Sequence, residues 1–255
     1  MDYGFVVVHV PHASVDIPEH YRKAILLSDR RLWREVRRMT DAFCDALYDA
    51  PGFTTRVIAQ TSRLVCDVER FRDDDNEPRA RSGHGLMYTR TELGGRMRRP
   101  DAALRDKVLR EIYDPHHEAL TTAVDTALER YGRCLIIDGH SFHSTTTVKP
   151  LEMLNRPDFD IGTDPFHTPA GLRDLVCAKT RELGYKVKVN TPFSGAITPM
   201  KHYGKDKRIV SIMFEANRRL YMDSSNMTKS AGFDRTREAC HELMRTAAQY
   251  VHAME

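Results

Sequence analysis

Short apolar runs rich in β-branched residues recur along the chain, and helix-like stretches separate them. The clearest runs are Phe5–Val10 (FVVVHV), Cys134–Asp138 (CLIID) and Arg208–Glu215 (RIVSIMFE). Strands that are apolar on both faces are typical of parallel sheets buried between helices. The alternation predicts one α/β domain spanning residues 1–255, with a mainly parallel mixed sheet covered by helices on both sides.

Weaker patterns predict the remaining elements. A helix is expected from Ser28 or Asp29 to about Tyr48, and Pro115 is expected to interrupt a helical pattern that starts at Asp101. Residues 70–100 have no apolar period and are expected to form a long loop. Further strands are predicted over 54–60, 64–68, 159–162 and 186–190, and further helices over 168–183 and 233–253.

Charge and hydropathy exclude several classes of protein. The 39 basic and 36 acidic side chains give a formal net charge of +3, which is too balanced to indicate nucleic acid or membrane binding. Acidic residues also dilute the arginine-rich stretch RFRDDDNEPRARSG, which disfavours an RNA-binding surface. We find no apolar stretch close to the roughly 20 residues that a membrane-spanning helix needs.

The N-terminus and the cysteines indicate the cellular compartment. The N-terminus, MDYGFVVVHVPHAS, enters a strand-like run at once and lacks the basic start of a signal peptide. The five cysteines are scattered, without CxxC spacing, and are expected to be small core residues. A cytoplasmic protein with reduced thiols is therefore predicted.

Polar residues follow three of the predicted strands. His12 comes after Pro11, His140 after Gly139, and Glu215 ends the third run. In open α/β sheets, sites lie beyond the carboxyl ends of the strands. Two imidazoles and a carboxylate suit a catalytic zinc that activates water, with Glu215 serving either as a ligand or as the general base.

The same segments offer other assignments. His9 offers a second imidazole, but it lies inside its strand, so His12 is preferred. A nucleophile pair of Ser141 or Ser144 with His143 is disfavoured because the chain lacks a G-x-S-x-G elbow. Gly139 is expected to let the chain turn off the strand. Asp138 is expected to orient a ligand or to close the strand end.

Arginines flank these motifs. SRLVCDVER places Arg63, Asp67 and Arg70 close together, and NRR supplies Arg218 and Arg219. Because arginine binds carboxylates through paired hydrogen bonds, the pattern favours a small anionic substrate.

Seven motifs occur in an order that points to a known family. They are VPHAS, TDAFCDALYD, SRLVCDVER, Pro115-His116-His117, DGHS, VNTPFSG and FEANRRLYMD, and the resemblance that they carry runs from about residue 6 to 223. Together they resemble the N-formylglutamate amidohydrolase (N-formylglutamate deformylase) family. The resemblance implies a three-layer αβα sandwich similar in plan to zinc-dependent exopeptidases.

The resemblance also implies roles for individual residues. The metal ligands would be His12, Asp41 and His140, holding one zinc or another divalent ion, and Glu215 would be the general base. We expect that His143, which has no counterpart in the motif, or an arginine stabilises the oxyanion. Substrate-binding positions carried over from the motifs are Arg63, Asp67, Arg70, His117, Asn217 and Arg218.

Two positions need a structural test. On an unbroken helix Asp41 would face solvent, so the assignment requires a break near Thr40, and Asp45 is the alternative carboxylate. Where the family reads D-x-N-R, this chain has Asp67-Val68-Glu69-Arg70. The extra acid, Glu69, is expected to disfavour a second carboxylate on the substrate.

The implied activity is metal-dependent hydrolysis of the N-formyl, or another N-acyl, amide of an acidic amino acid. N-formyl-L-glutamate would give formate and glutamate, a step of histidine degradation. The alternatives are a zinc amidase or exopeptidase on short peptides, and a non-catalytic binding protein that uses residues 70–100 for an anionic partner. No nucleic-acid or membrane partner is expected, and the oligomeric state is left open.

Overall fold

A computed structural model of the chain describes residues 3–144 and 156–254. Residues Ala80–Ser82 and Arg218–Leu220 form 3-10 turns, and Leu109–Tyr113 forms a π turn. The α-helices are α1 (Glu19–Arg22), α2 (Asp29–Met39), α3 (Cys44–Leu47), α4 (Ala102–Val108), α5 (Asp114–Tyr131), α6 (Ala170–Glu182) and α7 (Phe233–His252). The strands are β1 (Val6–Val10), β2 (Thr55–Ile58), β3 (Cys134–Phe142), β4 (Phe159–Gly162), β5 (Val187–Val189), β6 (Ile209–Asn217), β7 (Met222–Asp223) and β8 (Thr228–Lys229).

Contacts among the described residues divide the chain into two compact units. The sheet unit comprises Met1–Val10, Phe43–Val57 and Leu120–Glu255, and the helix–loop unit comprises Pro11–Ala42 and Ile58–Ala119. The single domain predicted over residues 1–255 stays a prediction.

The sheet unit is built on a mixed, mainly parallel sheet. Among the described residues, six strands pair in the order β2-β1-β3-β6-β4-β5. β1 and β6 both run parallel to their shared neighbour β3, whereas β4 is antiparallel to β6 and parallel to β5. Every residue of β3 and β6 is buried, which explains why these runs are apolar at successive positions.

Helices cover both faces of this sheet. On one face, Leu120 and Val124 of α5 pack against Val7 of β1 and Ile136 of β3. On the other face, α3 and α7 contact β3, and α6 packs on α7. The predicted α/β architecture is therefore confirmed, while the closer likeness to zinc exopeptidases stays a prediction.

The helix–loop unit is held by two apolar clusters and an ordered loop. Leu32 and Val36 of α2 pack with Tyr88 in one cluster. The loop predicted over residues 70–100 is confirmed, and it is tied to α2 because Glu35 accepts the Glu92 N–H at 2.6 Å. A second cluster joins the 65–68 segment to α4 and the π turn.

The predicted helix from Asp29 to Tyr48 is wrong in its second half. Helix α2 ends at Met39, and Thr40 is extended, with ψ of 134°. The Asp41 N–H then donates to the His12 carbonyl at 2.9 Å instead of continuing the helix. Phe43 takes a left-handed conformation with φ of 67° before the short helix α3. The helix break that the assignment of Asp41 as a metal ligand requires is thus present.

The structure differs from the sequence-based prediction in two shorter segments. The expected strand over 64–68 is wrong: the Ser62 carbonyl accepts the N–H groups of Val65 at 2.8 Å and Cys66 at 3.3 Å, which folds the segment into a turn. The interruption at Pro115 takes the form of a π turn immediately before α5. That widened turn accommodates a residue that has no N–H to donate.

The five cysteines are buried and free, as predicted. Over residues 3–144 and 156–254, we find no helix with the length and apolar character needed to cross a membrane.

Candidate metal and catalytic site

In the helix–loop unit, His12 is surrounded by carboxylates. Its Nε2 atom lies 2.9 Å from Oδ1 of Asp67. Its Nδ1 atom lies 3.6 Å from Oδ2 of Asp41 and 3.7 Å from Oε2 of Glu69. His12, Asp41 and Asp67 are buried, and the Glu69 side chain is 20% exposed. One imidazole therefore has a carboxylate on each side.

Asp67 is the centre of a buried polar network. It accepts hydrogen bonds from Arg63 at 2.7 Å, from the Tyr88 hydroxyl and from the Glu69 N–H at 3.1 Å. Burial raises the pKa of Asp67, but the charges of Arg63, His12 and Arg70 outweigh it and hold the pKa well below its usual range. Burial raises the pKa of Tyr88 to about 12, so this hydroxyl stays a donor. An ionised Asp67 accepts hydrogen bonds only, and His12 therefore donates its Nε2–H.

The atoms around His12 Nδ1 have the spacing of a metal site. Two donor atoms at about 2.1 Å from a tetrahedral ion are separated by roughly 3.4 Å. The Nδ1 distances of 3.6 Å to Asp41 and 3.7 Å to Glu69 are close to that value. The shorter Nε2–Asp67 contact matches the carboxylate that orients a metal-binding histidine from its other nitrogen. These residues fit a divalent cation bound on the Nδ1 side.

The His117 and Tyr113 side chains hold the backbone beside Glu69. His117 Nε2 donates to the Val68 carbonyl at 2.8 Å, and the Tyr113 hydroxyl donates to the Arg70 carbonyl at 2.8 Å. The two rings are in contact, with centroids 4.2 Å apart and planes tilted by 36°. Because of these contacts, residues 67–70 are fixed in place.

In the sheet unit, a second set of polar side chains lies on one face of adjacent strands. The β1–β3 register pairs His9 with Asp138, and the β3–β6 register pairs His140 with Glu215. Because side chains alternate along a strand, these four side chains lie on the same face of the sheet as Ile136, which is the face that α5 covers. All four are buried.

Asp138 links the two histidines of this set. Its Oδ1 atom lies 2.8 Å from His9 Nδ1 and 3.1 Å from His140 Nε2, and its Oδ2 atom accepts the Ile197 N–H at 3.1 Å. Burial raises the pKa of Asp138, but His140 and His9 hold it well below its usual range. The Asp138 carboxylate therefore fixes both rings, and Nδ1 of His140 lies on the opposite side of its ring. That Asp138 orients a metal ligand stays a prediction.

The prediction that Gly139 turns the chain off the strand is wrong, because β3 continues to Phe142. A Cβ atom at Gly139 would lie 2.5 Å from the ring of Tyr48. The Tyr48 hydroxyl lies 2.9 Å from the His140 carbonyl and 2.8 Å from the Phe214 carbonyl. Glycine is needed here because any side chain would displace Tyr48, which packs against β3 beside His140.

Arg218 is buried beside the end of β3. Its Nε donates to Ser141 Oγ at 3.1 Å, and its Nη1 lies 2.6 Å from His143 Nε2. Asn217 is more enclosed: its amide donates to the Pro157 carbonyl at 2.8 Å, and its oxygen accepts the Ser144 hydroxyl at 2.7 Å. Both residues predicted to bind substrate thus have extensive contacts within the sheet unit.

The structure brings the predicted site residues together within each unit. His12, Asp41, Asp67, Arg63 and Arg70 meet in the helix–loop unit, where His117 supports them. His140 and Glu215 lie side by side in the sheet unit, where Arg218 contacts His143. Asp45, the alternative to Asp41, is exposed.

Sequence reasoning missed three contributors. Glu69 was seen only as a departure from a motif, and Tyr88 and Tyr48 were not considered. The placement of Glu69 two residues after Asp67 was the available signal. Tyr48 lies in the motif TDAFCDALYD, which is the available signal for it, whereas none of the seven motifs contains Tyr88.

Comparison with known sequences gives a consistent result. Residues 5–222 match the N-formylglutamate amidohydrolase family profile, which is most of the chain. The chain is also 28% identical over 235 residues to the N-formylglutamate deformylase of Pseudomonas putida, covering 86% of this chain and 82% of that protein.

Solved structures agree on the fold. The crystal structure of an N-formylglutamate amidohydrolase from Ralstonia eutropha superposes with a TM-score of 0.80 at 25% identity, covering 97% of this chain and 94% of that one. A gene product of Agrobacterium tumefaciens has a TM-score of 0.69 at 19% identity, covering 98% and 92% respectively, and supports the fold alone.

Proposed function

Because the chain belongs to the N-formylglutamate amidohydrolase family, we propose that it is a metal-dependent amidohydrolase acting on N-acyl amino acids. The preferred substrate would be an acidic amino acid with an N-formyl or other N-acyl group, such as N-formyl-L-glutamate. The relatives from P. putida and R. eutropha carry names with that activity. The proposal rests on the geometry of His12: its Nδ1 faces Asp41, and its Nε2 is hydrogen-bonded to Asp67.

We assign the metal to His12, Asp41 and His140, with zinc as the expected ion and one ion per chain. The spacing around His12 Nδ1 supports the first two ligands. The assignment of His140 rests on the family motif DGHS. Its Nε2 contact with Asp138 is similar to the contact between His12 Nε2 and Asp67. A zinc ion held there would lower the pKa of a bound water molecule to about 7 and would polarise the acyl carbonyl.

Glu215 would act as the general base. It lies next to His140 across the β3–β6 register and is buried, at 5% exposure. Its carboxylate would accept the proton of the attacking water and pass it to the leaving nitrogen. His143, which Arg218 contacts through Nε2, would stabilise the oxyanion.

Arg70 and Arg218 would bind the substrate carboxylate. The contacts of Arg63 and Asp67 with each other support a role in positioning His12. His117 would position the 67–70 segment, since it bonds the Val68 carbonyl. Asn217 would position Arg218 by capping the 3-10 turn that begins there.

The test is a hydrolysis screen over N-formyl, N-acetyl and longer N-acyl amino acids, with metal analysis of the same sample. We expect about one zinc per chain, fastest hydrolysis of N-formyl-L-glutamate, loss of activity with a chelator and recovery with zinc. Preferred cleavage of short peptides would favour an exopeptidase. Binding of anions without metal or hydrolysis would favour a non-catalytic binding protein. The cytoplasmic location and the place in histidine degradation stay predictions.

A further inference from the structure

A second carboxylate lies as close to His12 Nδ1 as Asp41 does. The Nδ1 distance is 3.6 Å to Asp41 Oδ2 and 3.7 Å to Glu69 Oε2. The proposed ligand set contains Asp41 but gives Glu69 no role. Since the two distances are nearly equal, the spacing that supports one ligand supports the other.

Glu69 is held by its surroundings rather than projecting from a mobile surface. Its own N–H donates to Asp67 Oδ1 at 3.1 Å, the same oxygen that accepts from His12. The carbonyl before it is bonded by His117, and the carbonyl after it by Tyr113. Its side chain is 20% exposed. The Asp67 carboxylate therefore fixes His12 and the backbone of Glu69 together.

We propose that Glu69 is a further ligand of the metal, beside Asp41. This inference rests on the proposed metal site and adds a residue to it. The carboxylate of Glu69 and the imidazole of His12 belong to a group of side chains with ligand atoms within 4.8 Å of one another. The separation of 3.7 Å is close to the roughly 3.4 Å expected for two ligands of one tetrahedral ion.

A second carboxylate changes the chemistry of the site. Oxygen ligands favour harder cations than imidazole does, so Glu69 should raise the affinity for Mn²⁺ relative to that for Zn²⁺. A second negative charge also offsets more of the positive charge of the ion. The native protein is therefore expected to tolerate replacement of zinc by manganese better than a variant without this carboxylate.

The alternative is that Glu69 acts through its charge alone, for example by repelling a second carboxylate on the substrate. Two variants separate these roles. Glu69→Gln keeps the size and removes the charge, whereas Glu69→Asp keeps the charge and withdraws the carboxylate by one methylene. A ligand role predicts that both variants bind metal more weakly. A charge-only role predicts wild-type metal binding in Glu69→Asp.

The experiment measures Zn²⁺ and Mn²⁺ affinity of the metal-free protein by competition with a chromogenic chelator. The visible spectrum of the Co²⁺-loaded protein reports the ligand set directly. Asp45→Asn, at an exposed carboxylate, is the matched control, and Asp41→Asn is the positive control. We expect Zn²⁺ affinity to fall at least about tenfold in both Glu69 variants, with an altered Co²⁺ spectrum and no change in Asp45→Asn.

Wild-type affinity and an unchanged Co²⁺ spectrum in both Glu69 variants, with weaker binding in Asp41→Asn, would overturn the role of Glu69 and leave the proposed function standing. Wild-type binding in Glu69→Asp alone would also overturn it, in favour of a charge effect. Wild-type protein that binds neither ion would overturn the metal-dependent function itself.

Discussion

His12 and Asp67 form a hydrogen bond of 2.9 Å between Nε2 and Oδ1, and this bond decides which ring nitrogen faces Asp41. Asp67 is fully buried, with a pKa held well below its usual range by Arg63, His12 and Arg70 against the effect of burial. An ionised carboxylate can only accept, so Nε2 carries a proton and donates it to Asp67. Nδ1 therefore faces Asp41, and in the singly protonated ring its lone pair is directed there, where it can bind a cation.

Asp67→Asn should therefore weaken metal binding without removing a ligand. An amide holds the His12 tautomer less firmly, and we expect about 10- to 100-fold lower Zn²⁺ affinity, measured by chelator competition. The same change leaves Arg63 without its carboxylate and should lower the free energy of unfolding by about 3 kcal/mol. Wild-type Zn²⁺ affinity in folded Asp67→Asn protein would contradict the orienting role.

Tyr88→Phe is the matched control for Asp67. The phenol also bonds the Asp67 carboxylate, but its removal leaves the His12 contact in place. We expect a loss of about 1 kcal/mol in the free energy of unfolding, measured by urea titration, with unchanged Zn²⁺ affinity.

Glu215→Gln should keep the metal and lose turnover. If Glu215 moves the proton of the attacking water, its amide isostere lowers kcat by about 100- to 10,000-fold. Hydrolysis of N-formyl-L-glutamate and metal content are measured on the same sample, with Glu238→Gln at an exposed position of α7 as the control. Loss of bound metal in Glu215→Gln would instead make Glu215 a ligand.

Arg218→Lys should impair substrate binding more than the chemical step. The guanidinium reaches Ser141 and His143 at the same time, which the single amine of lysine cannot reproduce. We expect KM for N-formyl-L-glutamate to rise about tenfold or more, with a smaller change in kcat. Arg219→Lys is the control, because Arg219 is more exposed and pairs with Asp158. Equal losses in both variants, or a fall in kcat alone, would count against a role in binding the carboxylate.

The sequence predicted the sheet better than the segments between its strands. β3 and β6 are buried on both faces, so each begins as an apolar run that can be recognised in the sequence. The break after Met39 depends on the Asp41 N–H bonding the His12 carbonyl, a partner 29 positions away that no local pattern reveals. The turn at 64–68 likewise looks apolar because it is buried in a core and not because it is a strand.

The site divides in the same way. His12, His140 and Glu215 were predicted because each comes next to a recognisable apolar run. Their supporting residues, including Asp67, Tyr48 and Tyr88, act through distances set by the tertiary fold. The sequence indicates candidate side chains for chemistry, whereas the fold determines which nitrogen or oxygen each one presents.

Asp160 in β4 should make stability depend on pH. Its carboxylate accepts the N–H groups of Thr191 at 2.9 Å and Phe193 at 2.8 Å, and burial raises its pKa from 3.8 to about 6. The folded protein then binds more protons than the unfolded chain between these values, so the free energy of unfolding falls as pH rises from about 4 to 6. The total loss is up to about 3 kcal/mol. Asp160→Asn should flatten this part of the profile, and Asp174→Asn, at an exposed carboxylate, should not. Urea unfolding from pH 4 to 8 measures it, and a profile for Asp160→Asn parallel to that of the wild type would refute the assignment.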